Sequence, residues 1–244
     1  MTELRCADLD AAVAEHAARG FRIDMIMPAD DPETIEMSCG DTRVRLLRDA
    51  PTRTIDGHWH QGRAGMEYRD LIPDRRGGRL IASHIRIRDG GPVPDYVHYH
   101  AITFQLIYVR AGWVRVVYED QGPPFVMHAG DCVVQPPLIR HRVLEASPGL
   151  EVIELASPAR HATYADHELQ LPAPSVRPDR DFSGQRFSWH RAAATRAPVE
   201  DLGVAAATGG LVTARILRDG AAASGRISIP VDDGVILDVA MHGD

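Results

Sequence analysis

The sequence predicts a mainly β protein, a sandwich or barrel of short strands preceded by a small α/β segment. Three observations carry that prediction. From about residue 65 to 172, short runs of Val, Ile, Leu and Tyr are separated by Gly, Pro and Asp, the rhythm of strands and tight turns. Residues 7–20, ADLDAAVAEHAARG, instead read as one helix, capped by Asp8 or Asp10, favoured by its alanines and ended by Gly20. No apolar run approaches the length that spans a bilayer.

In chain order, Phe21 to Met27 alternate apolar and polar like a strand. Pro28, Asp30, Asp31 and Pro32 make a turn, and Arg43 to Arg48 read as a second strand. The later strands are Arg79–Arg86, Tyr96–His100, Phe104–Arg110, Trp113–Tyr118, Pro124–Met127, Cys132–Gln135, His141–Glu145 and Leu150–Leu155. Residues 171–182, LPAPSVRPDRDF, are rich in Pro and charge, with the linker proper over 173–182. Beyond it, Leu211-Val212-Thr213 and Arg218-Asp219-Gly220 repeat Ile81-Ala82-Ser83 and Arg88-Asp89-Gly90. The expected organisation is therefore an α/β segment (1–50), a barrel (51–172), the linker (173–182) and the first half of a second, degenerate copy (183–244). That half copy exposes an unpaired strand edge, so it is expected to pack on the barrel or on another subunit, and a homodimer is expected.

Composition narrows the functions. A formal net charge of −7 argues against nucleic-acid and membrane-surface partners. The start, MTELRCADLD, carries acids and lacks the apolar region of a signal peptide. Cys6, Cys39 and Cys132 are odd in number and far apart, which fits a reduced, cytoplasmic compartment. There is no lysine; all 27 basic residues are arginine. Schiff-base chemistry and a P-loop are thereby excluded.

The chemistry lies in GPVPDYVHYHAITFQLIYVRAG and GDCVVQPPLIRH. Residues two apart on a strand share a face, so His98 and His100 can converge on one ion while Tyr99 points away. A tight turn over Ala101–Phe104 brings Gln105 onto the neighbouring strand, as a ligand or as a packing residue. By the same parity Ile107 and Val109 form an apolar wall. Gly130 and Pro136 shape a turn before His141, which can supply a third imidazole from across the barrel. Arg140 and Arg142 flank it, and one of them could grip an anionic substrate. His58 and His60 form a second His-x-His with no spaced third ligand. His128, His161 and His167 read as surface histidines, Glu145 as a surface residue, and Cys132 as a small buried apolar group.

On these residues the sequence resembles the cupin superfamily over roughly residues 64–165. Its first motif is met by Gly91, His98, His100 and Gly112, with one extra residue after Gly91 and Gln105 in the position of a Glu. Its second is met by Gly130, Pro136 and His141, with Leu138 for a Gly and Glu145 for an Asn. The resemblance implies a double-stranded β-helix, the jelly-roll cupin barrel, and a metal held by His98, His100, His141 and Gln105. The full copy followed by a partial one also resembles bicupins, including gentisate-type ring-cleaving dioxygenases. Residues from Ala7 to Leu47 resemble half of a glyoxalase-type module whose strands here offer neither His nor Glu ligands.

Neutral imidazoles bind Fe, Zn, Mn, Ni or Cu, so the expected cofactor is a divalent transition metal, Fe(II) in the leading reading. Three histidines and an amide leave the ion its full charge, which favours a bidentate anionic substrate. The expected activity is an Fe(II) dioxygenase acting on a small anionic aromatic or diketone substrate. The alternatives are a metal-dependent isomerase or lyase, and a non-catalytic sensor or storage protein for a small ligand.

Overall fold

The structure, a computed structural model, describes residues 1–49, 57–194, 197–218 and 225–242. Ala50, at the end of the α/β segment, and Asp219 and Gly220 of the repeat lie outside the described residues. No helix among the described residues is long and apolar enough to cross a membrane.

The chain begins with β1 (Thr2–Cys6), α1 (Leu9–Ala18), β2 (Arg22–Met27), β3 (Thr34–Cys39) and β4 (Thr42–Arg48). Asp8 caps α1 by accepting a hydrogen bond from Ala11 N at 2.9 Å. Gly20 follows with φ 88°, a left-handed turn that only glycine adopts freely. β1 lies parallel to β4, and the helix covers a small core of Leu9, Ile26, Ile35, Met37, Val44 and Leu46.

The next strands are β5 (His60–Gln61), β6 (Glu67–Asp70), β7 (Ile81–Ile87), β8 (Gly91–Pro92), β9 (His98–His100) and β10 (Phe104–Ala111). They are followed by β11 (Trp113–Tyr118), β12 (Phe125–His128), β13 (Cys132–Gln135), β14 (His141–Ala146), β15 (Leu150–Ser157), β16 (Thr163–Ala165) and β17 (Ser188–His190). Two sheets result. One runs β1-β4-β3-β2-β16-β9-β14-β11-β12, and the other runs β17-β13-β10-β15-β7-β6-β5. The sequence does not reveal β16, yet β16 joins the N-terminal strands to the barrel: Thr163 pairs with Ile26 on one side and with His100 on the other. The facing sides of the two sheets share a core that includes Tyr68, Ile85, Val109, Val116, Met127 and Val152.

The C-terminal strands β18 (Val199–Asp201), β19 (Val212–Arg218), β20 (Ile227–Asp232) and β21 (Val235–Met241) form a third sheet ordered β18-β19-β21-β20. Its Val212, Ile216, Ile229 and Leu237 pack on Phe104, Leu106, Ile153 and Leu155, the outer side of the second sheet. β10 and β15 are therefore apolar on their outer face and look into the barrel with the other. The Pro-rich segment after residue 171 is pinned to the barrel, since Ser175, Arg177 and Arg180 all hydrogen bond to Asp120.

Candidate metal centre

His98, His100 and His141 come together, one ring nitrogen of each lying within 4.8 Å of the others. β14 is hydrogen-bonded directly to β9, and His141 is the register partner of His98. The third imidazole thus comes from the adjoining strand, not from across the barrel. Gln105 also differs from expectation. The turn after His100 carries the chain into the opposite sheet, so Gln105 faces the histidines from β10 rather than from a neighbour of β9.

Each imidazole is held by its Nδ1. His98 Nδ1 lies 2.8 Å from Tyr96 O, and His141 Nδ1 lies 3.1 Å from Ile139 O. A carbonyl only accepts, so both Nδ1 atoms carry the proton and both Nε2 atoms keep a lone pair. His100 Nδ1 bonds to Thr163 Oγ1 at 2.8 Å. All three rings are buried. Burial lowers the pKa of His141 to about 4. It lowers those of His98 and His100 well below 6.5, reinforced by Arg63 at the first and by the neighbouring histidines at both. Three neutral imidazoles with outer nitrogens fixed and inner ones convergent are a donor set that fits a divalent transition metal.

The histidines border a cavity of about 110 Å³. Ile81, Ile85, Ile107, Val114, Val116 and Met127 give it a hydrocarbon wall. Ile107 is therefore where parity placed it. Val109 is fully buried in the barrel core and does not line the cavity. Arg140 and Arg142 also miss it. They alternate with His141 along β14 and its approach, so they leave the opposite side of the strand. Arg140 bonds Asp166 at 3.0 Å and lies over the Tyr99 ring.

The cavity holds polar groups that the sequence did not single out. Glu154 on β15 accepts a hydrogen bond from Gln105 Nε2 at 2.5 Å. Burial raises its pKa, His161 and Gln105 oppose that, and Asp30 adds to it. The amide nitrogen thus faces Glu154. Gln105 Oε1 is left buried without a hydrogen-bond partner among the described residues, the end available to an ion or a ligand. His161 is not a surface residue: it is buried, borders the cavity, and sets its ring edge-on to His100 at 5.6 Å. Tyr118 stacks on His141 at 5.4 Å. Arg63 enters from the irregular segment before β6, donates from Nη2 to His98 Nε2 at 2.7 Å, and pairs through Nη1 with the buried Asp95 at 2.9 Å.

His58 and His60 contribute no ring to the cluster. His60 Nε2 instead donates to Asp30 O at 2.8 Å. His128 is exposed, and Cys132 is buried.

Two facing sheets closed into a barrel, with three histidines on two paired strands at its interior, define a cupin fold. The chain is similar to an RmlC-like cupin from Shewanella frigidimarina, at 25% identity over 44% of this chain and 89% of that one, with TM-score 0.35. It is similar to the polyketide cyclase RemF from Streptomyces resistomycificus, at 19% identity over 50% and 87%, with TM-score 0.38. It is also similar to oxalate decarboxylase from Bacillus subtilis, at 14% identity over 78% and 67%, with TM-score 0.46. No family model matches the chain, and no curated protein matches it.

Proposed function

We propose that this cupin is a metal-dependent enzyme that moves a proton on a small anionic substrate, an isomerase or lyase. The observation that supports this most is Glu154. It is a carboxyl group in the histidine-lined cavity whose pKa burial raises, and its orientation is fixed by Gln105. A general base works best when its pKa lies near the operating pH. His98, His100 and His141 would hold the ion, with Gln105 Oε1 as a fourth protein donor. When bound, the ion supplies Lewis-acid polarisation of a substrate carbonyl. Glu154 takes a proton from the carbon beside that carbonyl and returns it to a neighbouring carbon. The isoleucine and valine wall keeps water from the exchanging proton.

A second reading, an Fe(II) dioxygenase of a small aromatic acid or diketone, is favoured by the same wall and by the neutral donor set. Such a ligand set leaves charge on the ion for an anionic chelate to neutralise, and an apolar slot suits a flat ring.

Metal analysis of freshly purified protein tests the common premise. One equivalent is expected, and His100→Ala should lose it while keeping the fold. Full occupancy in that variant would remove the assignment. The readings then separate on a panel of hydroxy acids, keto acids, diketones and hydroxybenzoates. Deuterium incorporation from D2O that Glu154→Gln abolishes, without loss of metal, supports the proton-transfer reading. Oxygen uptake by the iron form without exchange supports the dioxygenase. Ligand binding with neither leaves a sensor or storage protein.

A further inference from the structure

We propose that Arg63 is the carboxylate-binding residue of this centre, so that the metal ion and a small α-hydroxy or α-keto carboxylate bind cooperatively. This rests on the metal reading above and deepens it.

The argument starts from one lone pair. His98 Nδ1 donates to Tyr96 O, so Nε2 is the only nitrogen of that ring able to bind an ion, and that lone pair now accepts from Arg63 Nη2 at 2.7 Å. A lone pair serves one partner. When an ion takes it, Nη2 loses its acceptor. The guanidinium cannot simply leave for water, because Nη1 is paired at 2.9 Å with Asp95, a side chain that is 0% exposed. Asp95 is itself fixed on its other oxygen by Val143 N at 2.9 Å. Only 10% of the Arg63 side chain is exposed, and it borders the cavity. A buried donor without an acceptor is costly. The metal-bound state therefore needs a new acceptor at that place, and the cavity is where a ligand can bring one.

Charge points the same way. Three neutral imidazoles cancel none of the ion's charge, and the guanidinium stands beside them. Asp95 is committed to Arg63 and Val143, Asp30 to Arg75 at 2.6 Å, and Glu154, on the facing sheet, to Gln105 Nε2 at 2.5 Å. An anion that reaches both the ion and Nη2 relieves this repulsion. The planar guanidinium matches a carboxylate, and a hydroxyl or keto oxygen on the next carbon lets the same molecule chelate. A cavity of about 110 Å³ suits a molecule of few carbons.

The proposal gives two effects of opposite sign, which a purely structural Arg63 would not. Cobalt(II) is the probe, since its visible spectrum reports the ligand field. It is titrated into the metal-free full-length protein alone, then with lactate, pyruvate or the uncharged lactamide. In the wild-type protein lactate and pyruvate should shift the cobalt spectrum and bind at least ~10-fold more tightly than lactamide, the scale of a charge-assisted pair. Arg63→Met should bind cobalt as well as or better than wild type, because nothing competes for His98 Nε2, while its lactate affinity falls to the lactamide level. Arg63→Met also strips Asp95 of its partner, so Arg63→Lys, which keeps that charge, is measured alongside. It should fold, hold cobalt and bind lactate with intermediate affinity.

Loss of cobalt and lactate together in the folded Lys variant would make Arg63 a clamp for His98 and overturn the proposal. Unchanged lactate affinity in either variant would do the same. Cobalt binding in the wild type with no response to lactate or pyruvate overturns this inference alone. A wild type that takes up no cobalt overturns the metal reading and this inference with it.

Discussion

Acid should destabilise the metal-free protein through its buried histidines, and His141 gives a magnitude. Its pKa is about 4 in the folded chain against 6.5 for a free imidazole. Between those values the unfolded chain binds a proton that the folded one refuses, so stability is full above pH 6.5 and falls as pH drops toward 4. The whole interval is worth about 3 kcal/mol at 1.36 kcal/mol per pH unit. From pH 7.5 to 5 the loss is about 2 kcal/mol. For a chain of this size that lowers Tm by roughly 4–8 °C. Glu154 acts in the opposite sense. Its raised pKa adds stability at low pH that is lost as pH rises through the folded value. The comparison to make is therefore wild type against His141→Gln, both containing Glu154. Each is melted by circular dichroism in chelator at pH 7.5 and pH 5. The variant should lose roughly 4–8 °C less than wild type between the two pH values. Equal losses would mean that His141 titrates like an exposed histidine, and the account of a buried, neutral, metal-ready ring would be wrong.

Thr163→Val removes the hydroxyl that holds His100 Nδ1; metal affinity should fall 10- to 100-fold in chelator competition while the fold persists, this being about the cost of losing such a support. Leu237→Ala opens the fully buried contact between the C-terminal sheet and the barrel. It should cost about 2–5 kcal/mol in denaturant unfolding, and a loss under about 0.5 kcal/mol, the size of a surface change, would mean that the third sheet is not packed there. Replacing Gln105 and Glu154 together with Leu should abolish turnover yet leave Tm unchanged or raised, because a buried hydrogen-bonded polar pair gives way to hydrocarbon. A fall in Tm comparable to that of Leu237→Ala would mark the pair as structural.

The barrel strands were legible because their apolar runs are broken by glycine and proline at nearly every turn, and His141–Glu145 and Trp113–Tyr118 lie within a residue of their observed ends. β1 was not, for a physical reason: TELRC is exposed along four of its five residues and stays in place by backbone pairing with β4, which leaves no apolar alternation. β16 is invisible for another reason: three residues are too few to show an alternation, although it welds the N-terminal sheet to the barrel. Parity put His98 and His100 on one face and the spacing of the second motif supplied His141, but the expected neighbours of His141 and Gln105 were wrong, because parity and spacing specify a face and not which strand lies beside it. Applied to β14 it would also have removed Arg140 and Arg142, whose positions alternate with His141.

Glu154 was hidden by the third sheet. In LEVIELAS both faces of β15 are covered, Ile153 and Leu155 by C-terminal strands and Val152 by the barrel core. A strand buried on both sides reads as a continuous apolar run, so the glutamate's facing could not be told from the pattern. In the structure that facing becomes the strongest functional signal. Gln135 on β13 is the register partner of Gln105 on β10, and Ser83 on β7 is the register partner of Glu154 on β15. All four border the cavity. They form a polar band across four adjacent strands of one sheet, opposite the histidines of the other. Hydrocarbon would pack those positions at less cost, since a buried polar group must find a partner. Gln105 Oε1 has none among the described residues. A polar band whose open valence, Gln105 Oε1, faces three neutral imidazoles is what a site awaiting an ion and a small polar ligand requires. It is not what a barrel packed only for its own stability would keep.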